Sequence, residues 1–415
     1  MTSSVAVILA AGLGTRMKSS LPKVLHQVAG WPMLRHVTTA LHEAGLEDII
    51  LVLGHQSELV EKTMGSGYRI AYQENQLGTG HALLQALPLL QEFGQGYCLV
   101  ACGDTPLLRA ETFRMLQEKH QSSKAAATVL TAVLNKPAGY GRIIKEGSKV
   151  TRIVEEKDAS QEEKAVKEIN TGTYCFNIED LIKLLPLLKP LNNQGEFYLT
   201  DVISLLAEEG KQVETLILSD PVEAMGINDR VQLAQAEKHM RQRIAEKHML
   251  AGVTMIDPAH TYIEACVSIG ADTVIYPGVH LAGETVIGAN CEIGPDCRII
   301  ATKVGSGTQI KYSYLQEAIV GSNCTIGPFS YLRPGAQLAD NVKVGDFSEV
   351  KNSYIGEGSK IPHLSYVGDS TVGKGVNIGA GTITCNYDGK KKYPTHIGDN
   401  VFVGSNTNLV VPVTI

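Results

Sequence analysis

An aliphatic residue recurs at every sixth position over much of the second half of this chain. From residue 263 to residue 299 the spacing is six without exception, and after an irregular stretch it resumes at residue 320. Two slips of one residue and one longer interruption follow before residue 415. A period of six fits neither a helix, with 3.6 residues per turn, nor a flat strand, with two. It predicts a hexapeptide β-helix over residues 253–415, with one inward aliphatic side chain on each short face.

The first half of the chain opens on an apolar strand that runs into a glycine loop. Residues 5–10 are apolar throughout, as in a parallel strand that is buried on both faces. Gly12 and Gly14 permit a left-handed backbone and close approach of backbone N–H groups to an anion. Arg16 and Lys23 add positive charge, although the loop has neither the dinucleotide nor the P-loop pattern. The loop indicates a phosphate site, and a tight turn with surface charges is the alternative.

Helices and strands alternate after this loop, which favours a parallel α/β sheet. We predict a helix over residues 32–44 and strands over 49–53 and 98–101. Ligands bind beyond the carboxyl ends of such strands, which makes the run Cys102-Gly103-Asp104 a candidate site. An aspartate in a turn is commonly only a cap, and that alternative stands on the pattern alone.

The run from Leu9 to Met17, with Leu21-Pro22-Lys23 after it, resembles the opening of the sugar-1-phosphate nucleotidyltransferases. In that family the loop wraps a nucleoside triphosphate, and the arginine and lysine neutralise charge during transfer. The resemblance implies catalytic roles for Arg16 and Lys23, and a Mg²⁺ ion held by Asp104 and Asn228. The implied substrate contacts of this half are Leu9, Ala10, Ala11, Gly12, Lys23, Gln73, Gly78, Thr79, Cys102, Gly103, Asp104, Gly141, Glu155, Asn170 and Asn228.

A second glycine loop, residues 73–82, specifically resembles the uridylyltransferases, in which it lies against the nucleobase. UTP is therefore implied as the nucleotide, and an adenylyl- or thymidylyltransferase acting on another sugar is the alternative. By the same resemblance Gly141, Glu155 and Asn170 hold an N-acetylglucosamine moiety. For Glu155, which lies in an acidic run, a solvated surface charge is the alternative.

Length and composition set the outer bounds of the interpretation. A chain of 415 residues exceeds the size of a single core, and we predict a head over 1–228, a linking helix over 229–252 and the β-helix. The net charge of −6 and the lack of a long apolar segment predict no affinity for nucleic acid, no stable membrane insertion and a cytoplasmic location. Eight cysteines without paired spacing predict neither a disulfide framework nor a zinc site.

Polar side chains gather where the hexapeptide repeat slips. An interruption over residues 381–396 contains Asn386-Tyr387 and three consecutive lysines from residue 390. Loops that protrude from a regular scaffold often carry sites. The lysine run could attract the phosphates of a coenzyme or be a solvated charge run. The other polar residues of this region are Arg333, Lys351, His363, Tyr366 and Asn377.

Nearly the whole chain is similar to the bifunctional bacterial N-acetylglucosamine-1-phosphate uridyltransferases and glucosamine-1-phosphate acetyltransferases. The resemblance implies a Rossmann-like nucleotidyltransferase domain followed by a left-handed parallel β-helix, assembled as a homotrimer with sites between subunits. In that family the second domain transfers acetyl from acetyl-CoA to glucosamine-1-phosphate. The first domain then joins the product, N-acetylglucosamine-1-phosphate, to UTP.

The motif around residues 361–368 puts His363 where this family has its general base, and histidine can accept a proton near neutral pH. The resemblance implies that Arg333 and Lys351 bind the sugar phosphate. Tyr366, Asn377 and Asn386 would position the sugar, and Ala380, Asn386, Tyr387 and Ser405 would lie on the acetyl-CoA side. The family continues past the position of Ile415, so we expect a C-terminally shortened chain. A β-helix that only trimerises the chain is the alternative to an acetyltransferase.

Overall fold

The computed structural model of the protein describes residues 4–415. Its first part is a sheet of nine strands with helices packed against it, and a two-stranded hairpin lies beside it. The strands are β1 Ser4–Ala10, β2 Gln27–Val28, β3 Trp31–Pro32, β4 Ile49–Leu53, β5 Arg69–Tyr72, β6 Tyr97–Cys102, β7 Ala127–Val133, β8 Arg142–Glu146, β9 Lys149–Val154, β10 Glu168–Asn177 and β11 Val213–Ile217. The helices are α1 Met33–Glu43, α2 Ser57–Met64, α3 Thr79–Gln85, α4 Leu87–Gln91, α5 Ala110–Ser123, α6 Gln161–Lys164, α7 Ile178–Leu184, α8 Asp201–Glu208 and α9 Arg230–Leu250.

The main sheet has the strand order β11-β7-β10-β6-β1-β4-β5, and it is mixed rather than wholly parallel as the sequence predicted. Strand β10 runs antiparallel to both of its neighbours, β6 and β7. The connection between β7 and β10 explains this antiparallel direction. It contains the β8–β9 hairpin and returns the chain to the edge at which β7 ends, so β10 begins there and runs back. The pairs of β1 with β4 and with β6 are parallel as expected.

Three parallel strands end side by side at one edge of this sheet. Ala10 at the end of β1 pairs with Leu53 of β4, and Leu9 pairs with Cys102 of β6. All the residues of β4 are buried, which explains its uninterrupted apolar sequence. The loops that follow β1 and β6 therefore start next to each other.

The second part of the structure is a parallel β-helix whose coils carry three sheets of nine short strands each, within residues 254–414. The first face consists of Thr254–Met255, Val274–Ile275, Glu292–Ile293, Gln309–Ile310, Thr325–Ile326, Lys343–Asp346, Lys360–His363, Asn377–Ile378 and Phe402–Val403. The second face consists of Tyr262–Ile263, His280–Ala282, Arg298–Ile300, Tyr314–Gln316, Tyr331–Leu332, Glu349–Lys351, Tyr366–Gly368, Ile383–Cys385 and Asn408–Val410. The third face consists of Ser268–Ile269, Val286–Ile287, Lys303–Val304, Ile319–Val320, Gln337–Leu338, Tyr354–Ile355, Ser370–Val372, Thr395–Ile397 and Val413–Thr414.

The core of the β-helix is more regular than the sequence indicated. The stretch between residues 300 and 319 broke the six-residue count, yet Val304, Ile310 and Leu315 are buried in the same core as the other inward residues, one on each face. The interruption predicted over residues 381–396 is also narrower. Its two ends are strands of the second and third faces, so only residues 386–394 leave the coil.

The glycines that follow many inward residues are required by the next coil. A Cβ atom on Gly288 would lie 2.6 Å from the backbone nitrogen of Ser306, and one on Gly356 would lie 2.4 Å from the carbonyl carbon of Gly373. These distances are far below van der Waals contact. The glycine in the repeat therefore permits the close stacking of coils.

Helix α9 occupies the segment for which the sequence predicted a linking helix. The chain divides into two compact units within this helix, the first ending at Glu237 and the second beginning at Lys238. Across residues 4–415, no helix combines the length and the apolar character needed to cross a membrane.

Candidate active sites

The loops after β1 and β6 meet at the side chain of Lys23. The ammonium group forms an ion pair with Asp104 and donates a hydrogen bond to Asn228 Oδ1 at 2.8 Å. Arg16 donates to the same oxygen at 2.8 Å. Residues that are far apart in sequence thus form one polar cluster, as the resemblance implied for the transfer site.

The glycine loop allows Lys23 to reach this position. Gly14 has a φ of 62°, and a Cβ atom on it would lie 2.6 Å from Cβ of Lys23. Gly12, for which the sequence permitted a left-handed backbone, does not have a positive φ. A Cβ atom on Gly12 would meet no atom within 4 Å, because this glycine faces the open site.

A cavity of about 280 Å³ opens beside the Lys23 cluster. It is lined by backbone and side-chain atoms of both glycine loops and of the two strand ends. Its lining residues are Leu9, Ala10, Ala11, Gly12, Lys23, Val24, Gln73, Gln76, Gly78, Thr79, Ala82, Cys102, Asp104 and Glu196. Gly103 lies behind this lining, since its backbone nitrogen donates to the carbonyl of Leu9 at 3.0 Å.

The second glycine loop is fixed by the segment after residue 195. Gly78 has a φ of 109°, and a Cβ atom on it would lie 2.5 Å from the carbonyl oxygen of Phe197. The side chain of Gln73 is buried and donates to the Gly78 carbonyl at 3.1 Å. Gly78 is the N-cap residue of α3, and the hydroxyl of Thr79, the first residue of that helix, accepts from Leu199 N at 3.1 Å.

The three residues expected to hold the sugar lie together. The backbone nitrogen of Asn170 donates to the Gly141 carbonyl at 2.9 Å, and a Cβ atom on Gly141 would lie 3.4 Å from a carboxylate oxygen of Glu155. The amide oxygen of Asn170 accepts from Gly172 N at 3.1 Å, and the Gly172 carbonyl accepts from the Cys102 thiol at 3.6 Å. This group therefore adjoins the cavity through Cys102.

Burial shifts the pKa of two groups here. It raises the pKa of Glu155, whose carboxylate accepts weakly from Thr200 and faces Asp158, Asp201 and Glu196. The interpretation of Glu155 as a solvated charge is therefore wrong. Burial also raises the pKa of the Cys102 thiol to about 12, so this cysteine is not a nucleophile near neutral pH.

The oxygen atoms around Lys23 fit a magnesium ion. A carboxylate oxygen of Asp104 and the amide oxygen of Asn228 both face the Lys23 ammonium, so the chain presents two hard donors to a positive charge. Within residues 4–415 no group of three histidine, cysteine or acidic side chains could hold a metal by itself. Mg²⁺ commonly takes one or two protein ligands and completes its shell with phosphates and water.

In the β-helix, the corner between the first and second faces carries three of the predicted residues. Backbone hydrogen bonds stack the corners of successive coils, from Gly381 N to the His363 carbonyl and from Asn406 N to the Ala380 carbonyl. His363, Ala380 and Ser405 therefore occupy one column. The imidazole of His363 is exposed and has no hydrogen-bond partner among residues 4–415.

The second face and the corner after it carry several of the residues that are expected to bind the sugar phosphate and the sugar. Tyr366 lies one coil after Glu349, which accepts from Arg333 at 2.8 Å. Lys351 ends the strand of Glu349, and its ammonium lies close enough to Lys392 to lower the pKa of Lys392. Asn377 lies on the first face, paired with Lys360 and Phe402.

The loop of residues 386–394 closes on itself. Asn386 lies within 3.4 Å of the Tyr366 hydroxyl, and Tyr387 forms an antiparallel bridge with Lys392. Asp388 accepts backbone hydrogen bonds from Lys390 and Lys391 at 2.7 and 2.6 Å. Tyr387 is exposed at the surface of this loop.

Several residues of these sites were missed as individual contacts. Gln76 and Glu196 line the cavity. Gln76 stands in the recognised loop of residues 73–82, and its position in that loop was the available signal. Lys392 was seen only as part of a charge run. Asp369 and Asn352 carry no sequence signal, because only the stacking of coils brings them together at the corner between the second and third faces.

Comparison with known proteins agrees with the two-part fold. A MobA-like NTP transferase domain matches residues 6–156, a GMPPB C-terminal domain matches residues 262–347, and a hexapeptide repeat of succinyl-transferase matches residues 394–415.

Several curated proteins are similar to this chain over nearly its full length. The bifunctional protein GlmU of Carboxydothermus hydrogenoformans is 54% identical over 99% of this chain and 91% of its own length. That of Geobacillus sp. strain WCH70 is 51% identical over 100% and 90%, and that of Pelotomaculum thermopropionicum is 54% identical over 98% and 89%. The chain belongs to the bifunctional GlmU family. GlmU proteins combine a UDP-N-acetylglucosamine pyrophosphorylase, which is a uridyltransferase, with a glucosamine-1-phosphate acetyltransferase.

Substitution of Gly78 by alanine tests the packing of the second glycine loop of this chain. The added methyl group would collide with Phe197 and displace both loops from the cavity, so we expect kcat/KM for uridylyl transfer to fall about a hundredfold. Gly65→Ala is the control, because Gly65 also has a positive φ, of 80°, but open space around it. Equal effects of the two substitutions on initial rates would contradict this prediction.

Proposed function

We propose that the chain synthesises UDP-N-acetylglucosamine in two steps at two separate sites. Acetyl transfer from acetyl-CoA to glucosamine-1-phosphate takes place on the β-helix, and uridylyl transfer from UTP takes place in residues 1–228. The observation that carries the proposal is the polar cluster of Arg16, Lys23, Asp104 and Asn228, two members of which, Lys23 and Asp104, line the cavity. Because UTP and acetyl-CoA are cytoplasmic metabolites, we assign the enzyme to the cytoplasm.

In uridylyl transfer, a phosphate oxygen of N-acetylglucosamine-1-phosphate attacks the α-phosphorus of UTP. The bond from that phosphorus to the bridging oxygen breaks, and pyrophosphate leaves. Lys23 and Arg16 donate hydrogen bonds to phosphate oxygens and offset the charge that develops on them. Asp104 and Asn228 would hold Mg²⁺, which when bound would neutralise further phosphate charge.

Gln73 and the backbone of Gly78 and Thr79 bind the uracil. All three residues line the cavity, and the buried amide of Gln73 is held in place by the Gly78 carbonyl and by His81 at 3.0 Å. Gly141, Glu155 and Asn170 bind the N-acetylglucosamine moiety. The Glu155 carboxylate and Asn170 amide offer an acceptor and a donor for hydroxyl and acetamido groups.

In acetyl transfer, the amine nitrogen of glucosamine-1-phosphate attacks the acetyl carbonyl carbon, and His363 takes a proton from that amine. The carbon–sulfur bond of acetyl-CoA breaks, and coenzyme A leaves as its thiolate, which is then protonated. The exposed imidazole of His363 is open to an external substrate. Arg333 and Lys351 bind the sugar phosphate, Tyr366, Asn377 and Asn386 orient the sugar, and Ala380, Tyr387 and Ser405 contact acetyl-CoA.

The active assembly is a homotrimer. Four large apolar side chains stand exposed on successive coils, at the corner between the first and second faces of the β-helix. We call them the apolar ridge: Tyr312, Phe329, Phe347 and Leu364. The rings of Phe329 and Phe347 stack at 5.3 Å and are 56% and 61% exposed. Exposed apolar patches of this kind mark interfaces. Since Leu364 directly follows His363, a second copy on the ridge would border the acetyl-transfer site.

Two substitutions, each measured in both assays, test the assignment of the two sites. We expect His363→Ala to lower acetyl transfer, followed as release of coenzyme A thiol, by about 100-fold to 10,000-fold through loss of the general base. We expect Asp104→Asn to lower UTP-dependent pyrophosphate release about a hundredfold. Each variant should keep the other activity.

His396→Ala serves as the control for His363, because His396 is also an exposed histidine on the β-helix. Uridylyl transfer without any release of coenzyme A by the unsubstituted chain would make the β-helix a trimerising module only. Faster transfer with ATP or dTTP than with UTP would instead favour a different nucleotidyltransferase.

Phe347→Ser tests the apolar ridge. Loss of the stacked ring should shift the protein from trimer to smaller species in sedimentation velocity, and acetyl transfer should fall while uridylyl transfer is kept. Phe402→Ser is the matched control, since Phe402 is 74% exposed on the first face, away from the ridge. An unchanged mass for Phe347→Ser, or dissociation by Phe402→Ser alone, would show that the ridge is not the interface.

A further inference from the structure

The second corner of the β-helix, between its second and third faces, is a column of left-handed residues. Glu317, Gly335, Asn352 and Asp369 have φ values of 47°, 82°, 43° and 50° on successive coils. Asparagine and aspartate tolerate this conformation better than most residues. Because the backbones stack, the side chains of the last two meet, and Asn352 Nδ2 donates to Asp369 Oδ1 at 2.7 Å.

Asp369 also holds both ends of the loop of residues 386–394. At the exit of the loop, Asn386 Nδ2 donates to Asp369 Oδ2 at 2.5 Å. At its return, the Thr395 backbone nitrogen donates to the Asp369 carbonyl at 3.2 Å. One residue thus fixes where the chain leaves the coil and where it comes back.

The contact reaches the sugar-binding tyrosine through Asn386. The Asn386 amide lies 3.4 Å from the Tyr366 hydroxyl. A Cβ atom on Gly368 would lie 2.3 Å from that hydroxyl oxygen and 2.9 Å from Asn386 Nδ2, so Tyr366, Gly368 and Asn386 are packed without spare room. The orientation of Tyr366 therefore depends on the side chain that holds Asn386.

Asp369 has an electrostatic effect as well. Together with Asn352 and Lys392 it lines a cavity of about 390 Å³. The neighbouring Lys351 lowers the pKa of Lys392, and the carboxylate of Asp369 acts in the opposite direction. Asp369 therefore helps the Lys392 ammonium to stay protonated beside Lys351.

We propose that Asp369 is a positioning residue for acetyl transfer, whose carboxylate fixes Asn386 and the 386–394 loop and so sets the binding site for the sugar phosphate. The inference rests on the proposed acetyltransferase function. Asp369 itself does not touch the reacting atoms and acts through Asn386, Tyr366 and Lys392.

Asp369→Asn is the most direct test, because asparagine keeps the size and the left-handed preference while losing the charge and one of the two acceptor oxygens. We expect KM for glucosamine-1-phosphate in acetyl transfer to rise about tenfold, with uridylyl transfer unchanged. The alkaline limb of the pH–rate profile should move to lower pH, because Lys392 then loses its proton more readily. Asp340→Asn removes an exposed carboxylate elsewhere on the β-helix, one that accepts from Ser322 N, and should change neither value.

A second variant tests the hydrogen-bond column itself. In Asp369→Asn with Asn352→Asp, the new carboxylate can accept from the amide at 369, which leaves an amide oxygen for Asn386, and KM should recover towards that of the unsubstituted chain. Unchanged KM and pH profile in Asp369→Asn, or a lower thermal midpoint as its only effect, would overturn the inference, as would failure of the double variant to recover. No acetyl transfer by the unsubstituted chain would overturn the proposed function and this inference together.

Discussion

In-register parallel pairing of strands is the constraint on which both sites depend. In the first unit it brings the ends of β1, β4 and β6 to one edge, so that loops separated by some ninety residues of sequence begin side by side. In the β-helix the same pairing repeats from coil to coil. A residue at a corner therefore lies directly over its counterpart in the next coil, and the corners become columns of side chains.

The two sites use this constraint in different ways. The head concentrates charge, with Lys23 held between Asp104 and Asn228 and with Arg16 on the same amide oxygen. Such a cluster suits phosphate chemistry, in which the protein mainly positions groups and offsets charge. The β-helix instead offers an exposed histidine on one corner column and a hydrogen-bonded loop on another. Acetyl transfer requires a proton acceptor and an oriented amine, which that arrangement can supply.

Much of this structure could be predicted from the sequence, because periodicity reports directly on backbone geometry. The six-residue repeat predicted the β-helix, and the apolar runs predicted β1, β4 and β6 to within about one residue of their ends. Most of the cavity lining was identified through the resemblance to the sugar-1-phosphate nucleotidyltransferases, which two glycine loops and a strand end carry. The antiparallel direction of β10 was missed because it depends on the connection from β7, which returns to the sheet at the same edge where β7 ends. No local sequence pattern records the edge at which a connection returns.

The errors that remain concern properties that exist only after folding. Glu155 was open to interpretation as a solvated charge because the groups that lie against its carboxylate, Gly141 and Thr200, are brought there only by the fold. The regular core near Ile310 was not recognised because some of its inward residues, such as Ile310 and Leu315, are five residues apart, so a count of six misses them. Asp369 was not recognised because its partners Asn352 and Asn386 lie one coil away on either side.

The central claim is that one chain carries two independent sites that act in succession, and a mixing experiment tests it most directly. Glucosamine-1-phosphate, acetyl-CoA, UTP and Mg²⁺ are supplied to the His363→Ala chain, to the Asp104→Asn chain, and to an equimolar mixture of the two, and UDP-N-acetylglucosamine is measured. Two independent sites predict little product from either variant alone and sustained synthesis by the mixture. A mixture that stays as inactive as its components would contradict the claim.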